Sequence, residues 1–354
     1  MQTKLLTIGP VQMYESTLEI RSKQIPYFRN ENFSELMLEN ERLLKKLQFA
    51  DEDSRVVFLT SSGTGAMEAA VMNLFDERDR LLVISGGTFG QRFENICRIH
   101  KIPFDVLRVS FDEDLKPEHF ENFNPKNYTG LLVNIHETSI GKLYDINVIN
   151  EFRSRGDMLL VVDAISSFLC DNFRMKDNDI DASIISSQKG LCLAPGMSFV
   201  TLNYRAQNKV ELLDSKSVYF NFKDYLSNIE RGQTPFTPAV GVCCELNDRL
   251  ISIDNRGLSK VLLDIEYNAK CFRRFLKNSQ ASFPMFSKSN AITTVLLSSE
   301  NAKEIIDYLK NEHGIIVNPS NGELGKYSFR VSHVGNIDLK DYKIVVDTIN
   351  KFSI

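Results

Sequence analysis

The sequence predicts an α/β protein with a mainly parallel sheet covered by helices on both sides, followed by a smaller α+β unit. Three observations carry that expectation. Short β-branched runs recur between residues 55 and 202, and most are continuously apolar rather than alternating, as strands buried on both faces are. Stretches between several of them carry helical spacing, and strand–helix alternation of this kind builds a parallel sheet. The chain's 354 residues exceed one ordinary core and suit a large domain with a smaller one.

In chain order, Leu36, Leu43, Leu44 and Leu47 fall on one helical face, so the first element is an amphipathic helix over 34–49. Strands are expected at 55–60, 81–85, 104–109, 130–135, 158–163, 182–186 and 198–202, with helices at 64–75 and 89–100. After about residue 239 the texture changes. A long helix-compatible stretch runs to about residue 279, broken near Asn255-Arg256-Gly257. Runs at 292–297, 314–317 and 328–332, with a helix near 302–311, then suggest a small α+β domain. The expected division is 1–240 for the large domain, N-terminal segment included, and 241–354 for the small one. No internal repeat, low-complexity stretch or long linker interrupts the chain, so the two domains should pack tightly.

Hydrophobic content of 43% and charged content of 25% are ordinary for a globular protein. A formal net charge of −4 and a pI near 5.9 give no electrostatic case for binding nucleic acid. No apolar run approaches the ~20 residues that span a bilayer, and the opening Met1-Gln2-Thr3-Lys4-Leu5-Leu6 lacks the pattern of an export signal. The six cysteines, at 97, 170, 192, 243, 244 and 271, form neither a CxxC pair nor a metal-ligand spacing. They read as reduced, mostly buried thiols. The expectation is a cytoplasmic protein that holds no metal and binds neither nucleic acid nor membrane.

Four motifs sit at or just after the C-terminal ends of expected strands, where an open α/β sheet offers a ligand crevice. The first is Ser61-Ser62-Gly63-Thr64-Gly65-Ala66-Met67-Glu68-Ala69-Ala70. Its glycines let the backbone turn tightly toward an anion, the following helix presents free N–H groups, and Ser62 and Thr64 add hydroxyl donors. A phosphate is the natural occupant, although a glycine-rich strand–helix turn is common and alone says little. A dinucleotide-binding reading of Gly63-Thr64-Gly65 is weakened by Glu68 at the third glycine position. No acidic residue ends the next strand either, where Ser85-Gly86-Gly87 follows. The Gly-Lys-Ser/Thr ending of a Walker A loop is missing.

The second motif is Asp163, which closes the apolar run 158–162. A buried carboxylate needs a partner. One candidate is a protonated pyridine nitrogen, which pyridoxal-phosphate enzymes keep charged with such an acid so that the ring accepts electrons. The other is the N-terminus of the following helix, the commoner fate of an isolated aspartate. The third is Ser186-Ser187-Gln188-Lys189-Gly190, at the end of another apolar strand. A lysine there loses hydration, which lowers its pKa and makes the amine nucleophilic toward an aldehyde; most lysines after strands are nonetheless surface residues. The turn Ala194-Pro195-Gly196 downstream is compatible with a pocket edge. The fourth is His136-Glu137-Thr138-Ser139-Ile140-Gly141. His136 invites a hydrolase reading, but there is no GxSxG elbow.

In this order the motifs resemble the class V aminotransferases of pyridoxal-phosphate fold type I. That family includes alanine–glyoxylate, serine–glyoxylate and 2-aminoethylphosphonate–pyruvate aminotransferases. The resemblance spans essentially the whole chain, from Gly9-Pro10 to the arginine strand near the C-terminus. It rests most on SSGTGAMEAA, FGQR, HETSIG, VVDAISSF and SSQKGL with the later APG.

The resemblance implies a seven-stranded, mainly parallel sheet in the large domain and pyridoxal 5′-phosphate as cofactor. Lys189 would carry the cofactor as a Schiff base and shuttle the proton, and Asp163 would pair with the pyridine nitrogen. Phe89 would stack on the ring, where many relatives carry Trp. Thr138 would bond the phenolic oxygen, and Ser62, Gly63, Thr64 and Gln188 the phosphate. Thr234, in Arg231-Gly232-Gln233-Thr234-Pro235, matches the segment by which a neighbouring subunit completes the phosphate site, which implies a homodimer with shared active sites. Arg330, in Ser328-Phe329-Arg330-Val331-Ser332-His333, matches the arginine that forks onto a substrate carboxylate, and Gly9 should lie near the substrate. The chain departs from the family pattern at Ile140, where threonine is common, and at Arg231, where some relatives carry an aromatic. Arg29, charged within the apolar, proline-fixed segment 24–29, is a candidate for contacting a second anionic group, such as a phosphonate.

The expected function is an aminotransferase running a ping-pong cycle. A small amino donor (alanine, serine or 2-aminoethylphosphonate, with aspartate also open) would pass its amino group to a small 2-oxo acid such as pyruvate or glyoxylate. A class V lyase of the cysteine-desulfurase kind is an alternative, but it needs a mobile reactive cysteine, and Cys243 and Cys244 fall in an expected helix. A catalytically silent dimeric scaffold is another, and it has no need of Lys189, Asp163 and Thr138 together. The choice of donor depends on pocket shape rather than on these motifs.

Overall fold

The computed structural model describes residues 3–352. Met1 and Gln2, which begin the segment read for an export signal, and Ser353 and Ile354, which end the expected small domain, lie outside the described residues.

The chain opens with strand β1 (Lys4–Leu6) and helices α1 (Glu15–Arg21) and α2 (Glu31–Leu47). Strands β2 (Arg55–Leu59), β3 (Leu81–Ser85) and β4 (Phe104–Arg108) alternate with α3 (Gly63–Leu74) and α4 (Thr88–Ile99). β5 (Gly130–Asn134) leads into a small hairpin of β6 (His136–Glu137) and β7 (Lys142–Leu143). Then come α5 (Ile146–Arg153), β8 (Leu159–Asp163), β9 (Ala182–Ser186) and β10 (Ser198–Leu202). Helices α6 (Tyr204–Leu212), α7 (Phe222–Ile229), α8 (Val240–Arg256) and α9 (Leu258–Leu276) follow. β11 (Ile292–Leu296), α10 (Ala302–His313), β12 (Ile315–Pro319), α11 (Leu324–Tyr327), β13 (Ser328–Ser332) and α12 (Leu339–Lys351) complete the order. α2 starts ahead of the expected 34 because Asn30 caps it, its side chain accepting the Phe33 N–H at 2.9 Å. α8 breaks into α9 at Gly257, whose φ of +88° suits glycine.

The seven expected runs form one sheet in the order β2-β10-β9-β8-β5-β3-β4. Pairings from β9 across to β4 are parallel, and only β10 runs against its neighbours. β9 and β10 are joined by a loop rather than a crossover helix, so the chain turns straight back. That loop carries Lys189. On β2, Val56 and Phe58 enter one core with Met37, Leu44 and Leu246, while Val57 and Leu59 enter another with Ala70, Phe93 and Phe222. Burial on both faces is why the run reads as continuously apolar, and each such side chain contributes about 1.5–3 kcal/mol.

A second, four-stranded sheet has the order β1-β12-β13-β11. Leu6, Val317 and Phe329 of this sheet pack with Phe272, Leu309 and Val345 from α9, α10 and α12. Two segments depart from the expected division at 240. β1 pairs in parallel with β12, Lys4 opposite Ile315, so the N-terminal strand lies in the second sheet rather than with the large one. α8, placed beyond the boundary, lays Leu246, Leu250 and Ile253 into the first core. A three-residue strand has no periodicity to reveal its partner, and α8 is amphipathic toward whichever core it meets. All six cysteines are free and four are buried, in line with the reading of buried thiols. Among the described residues no helix is long and apolar enough to cross a membrane.

Candidate active site

Strand register builds the floor of the site. β5 and β8 pair with Asn134 opposite Asp163, and Asn134 Nδ2 donates to Asp163 Oδ2 at 2.7 Å. The Ile165 N–H donates to the other carboxylate oxygen at 2.9 Å. Burial pushes the Asp163 pKa up to about 6, while the Ile165 N–H, Asn134 and the Lys189 charge work against that rise. His136, just beyond β5, is fully buried and pushed down to about 3 by desolvation. It is therefore neutral at pH 7, with Nδ1 as the donor to Ser166 O at 3.0 Å.

Lys189 follows β9 in a loop fixed by its own backbone. Ser187 N–H reaches Met197 O at 3.0 Å, Leu193 N–H reaches Ser187 O at 3.0 Å, and Cys192 N–H reaches Lys189 O at 2.8 Å. Burial lowers the lysine's pKa to about 8; Arg330 and Arg92 add to the lowering and Asp163 opposes it. At neutral pH a useful fraction of this amine is uncharged.

The turn after β2 supplies the opposite wall. Ser62 caps α3, its Oγ accepting the Gly65 N–H at 3.4 Å. A Cβ on Gly63 would stand 2.4 Å from Ile165 Cδ1, so a side chain there would collide with the loop after Asp163. Thr64 Oγ1 accepts from Arg92 Nη1 at 2.7 Å. Arg92 lies one turn beyond Phe89 on α4, with its guanidinium carbon 4.8 Å from the Phe89 ring centre.

α4 has no capping side chain of its own. Glu137 serves instead: its buried carboxylate accepts the N–H groups of Phe89 at 3.2 Å, Gly90 at 3.0 Å and Ser139 at 3.2 Å. The HETSIG hairpin and the start of α4 are thereby locked together. Thr138 Oγ1 bonds His136 O at 3.2 Å and meets the hydroxyl of Ser166.

These pieces close around one cavity of about 130 Å³. Ser62, Gly63, Thr64, Phe89, Thr138, Asp163, Gln188 and Lys189 all line it. Arg92, Asn134, Ile165 and Ser166 line it too and escaped the sequence reading. FGQR held Arg92 in plain view, three residues after Phe89; Asn134 had no local signal, because its partner is set by register. Wider cavities, of about 290 Å³ beside Tyr144 and about 600 Å³ beside Ile25, hold none of the expected residues. Two of the lining residues carry buried polar atoms without a hydrogen-bond partner among the described residues, Asn134 Oδ1 and Gln188 Oε1. Such atoms call for partners that the chain itself does not supply.

The second sheet adds two expected residues. Arg330 on β13 donates from Nη1 to Thr138 O at 2.8 Å and from Nη2 to Pro319 O at 2.6 Å. Gly9, at φ +142°, comes against the Lys189 side chain.

Thr234 and Arg29 are not brought to this cavity. Thr234 is buried in its own loop, its Oγ1 donating to Phe236 O at 2.7 Å. Arg29 is exposed and clasps the same loop, bonding Gln233 Oε1 at 3.1 Å, Thr234 O at 3.0 Å and Pro235 O at 3.3 Å. The expected contact of Arg29 with a second substrate anion is therefore not made within the chain: three oxygens of the loop hold its guanidinium.

A family model described as aminotransferase class-V matches residues 23–323. A relative named soluble hydrogenase 42 kDa subunit, from Anabaena cylindrica, is 28% identical over 346 residues, covering 95% of this chain and 89% of the relative. An uncharacterised aminotransferase of Methanocaldococcus jannaschii is 28% identical over 344 residues, covering 94% and 88%. Among solved structures, an aspartate aminotransferase of subgroup IV from Thermus thermophilus superposes with a TM-score of 0.87 at 27% identity, covering 98% of each chain.

Proposed function

The chain belongs to the class-V aminotransferase family, and on that premise we propose that it uses pyridoxal 5′-phosphate, held by Lys189, to move an amino group from a small amino donor to a small 2-oxo acid. The observation that carries this reading is the enclosed Lys189 amine, with its pKa lowered to about 8, in one cavity with buried Asp163.

The residues present fit the cofactor. The α3 N-terminus with Ser62, Gly63 and Thr64 suits its phosphate, and Gln188, which lines the same cavity, can offer its amide N–H groups to that anion. Asp163, already raised to about 6 by burial, favours a cation beside it, as a protonated ring nitrogen would be. Pyridoxal phosphate supplies an aldehyde that condenses with amines and a ring that takes up electrons.

The chain's own groups do the rest. Lys189 Nζ would hold the aldehyde until the donor's amine displaces it, and the freed amine would then carry the proton from the substrate's Cα to the former aldehyde carbon. Asp163 keeps its negative charge toward the ring nitrogen, and Phe89 offers a flat apolar face. Arg330, whose Nε has no partner, is positioned to bind the α-carboxylate of the oxo acid. Alanine, serine, aspartate and 2-aminoethylphosphonate are the donors to compare, with pyruvate and glyoxylate as acceptors; aspartate takes added weight from the name of the Thermus structure.

A homodimer belongs to the same reading. Thr234 and the loop clasped by Arg29 lie outside their own chain's cavity, which suits a loop that completes the neighbour's phosphate site. We place the protein in the cytoplasm, in keeping with its free thiols. The lyase alternative gains no support, because Cys243 and Cys244 both lie in helix α8 and desolvation raises both thiols.

The test is a half-reaction assay. Protein loaded with pyridoxal phosphate is mixed with each donor, and the oxo product is measured. One donor should yield a stoichiometric oxo product and a form that pyruvate or glyoxylate restores. Release of sulfide or ammonia without transfer to any acceptor would point to a lyase instead.

A further inference from the structure

Arg92 is a half-buried guanidinium that lines the cavity. Its Nη1 donates to Thr64 Oγ1 at 2.7 Å, and one face of the group rests on the Phe89 ring at 4.8 Å. Among the described residues no carboxylate pairs with it. A cation that has lost part of its hydration without gaining an acid is held at a loss unless an anion arrives. The hydroxyl it touches belongs to the first turn of α3, whose free N–H groups already favour an anion. Gln188, whose amide can present its N–H groups to an anion, lines the same cavity.

From these contacts we infer that Arg92 is the cationic ligand of the cofactor's phosphate, closing the anion cradle that Ser62, Gly63, Thr64 and Gln188 leave incomplete. The inference rests on pyridoxal phosphate being the cofactor. Arginine suits the task, since its planar fork spends one N–H on Thr64 and keeps others for phosphate oxygens.

The experiment titrates cofactor-free protein with pyridoxal phosphate and, separately, with pyridoxal, following the visible band that forms on binding. Arg92→Gln should weaken pyridoxal phosphate roughly ten- to hundredfold, as loss of a charged hydrogen bond does. It should change pyridoxal, which lacks the phosphate, by less than about twofold, and Arg92→Lys should recover most of the loss. Equal weakening of both ligands, no weakening of either, or a change confined to the donor KM would overturn the inference. If wild-type protein binds neither ligand, the cofactor reading itself fails, and that outcome is distinct from an unaltered Arg92 variant.

Discussion

Gly9 lies so close to Lys189 that a Cβ built on it would stand 2.9 Å from both the Cδ and the Cε of the lysine. The contact joins the N-terminal segment, which begins in the second sheet, to the reactive loop of the first. A side chain at this position would push the amine aside, and the φ of +142° disfavours any residue but glycine. Gly9→Ala should lower kcat by at least about tenfold while costing only about 1–3 kcal/mol of stability. Steady-state kinetics beside thermal melting separates the two; a variant with unchanged kcat would show that this approach does not matter for the chemistry.

The Asn134–Asp163 bond predicts a pH effect. Asn134 donates to the carboxylate and so favours its charged form. Removing it in Asn134→Ala should raise the Asp163 pKa above about 6, so that the acid limb of the kcat/KM profile moves to higher pH. An unshifted limb would remove Asn134 from the account.

Lys189 predicts a second pH effect. Its pKa is lowered to about 8, so the uncharged amine that attacks an aldehyde appears as pH rises through 8 rather than through 10. The rate at which pyridoxal phosphate becomes attached should rise with pH and level off above about 8. A rate still climbing at pH 10 would mean the amine is not desolvated in solution.

Glu137 holds the start of α4 through the N–H groups of Phe89 and Gly90, and its own hairpin through that of Ser139. Glu137→Ala leaves those buried donors unpaired, at a cost of about 3 kcal/mol. Chemical denaturation should show that loss. Cofactor binding should weaken with it, because Phe89 and Arg92 both sit on α4; denaturation curves identical to wild type would contradict the locking role.

Much of this architecture is legible in the chain. Apart from the edge strand β4, the strands from Arg55 to Leu202 announce themselves because both faces are buried, which leaves no polar alternation to confuse them with surface strands. Ser62, Asp163 and Lys189 could be read because each follows an apolar run directly. What was missed depends on contacts between distant segments. β1 is three residues long and its partner is β12, and Arg29 is an ordinary arginine until the 233–235 loop folds onto it. Asn134 becomes a site residue only through the register of β5 on β8.

The central claim is that the amine of Lys189 holds the cofactor. Protein incubated with pyridoxal phosphate, reduced with borohydride and digested should carry the pyridoxyl group on the peptide containing Lys189, and Lys189→Ala should carry none. A label on another lysine, or equal labelling of the variant, would contradict the account.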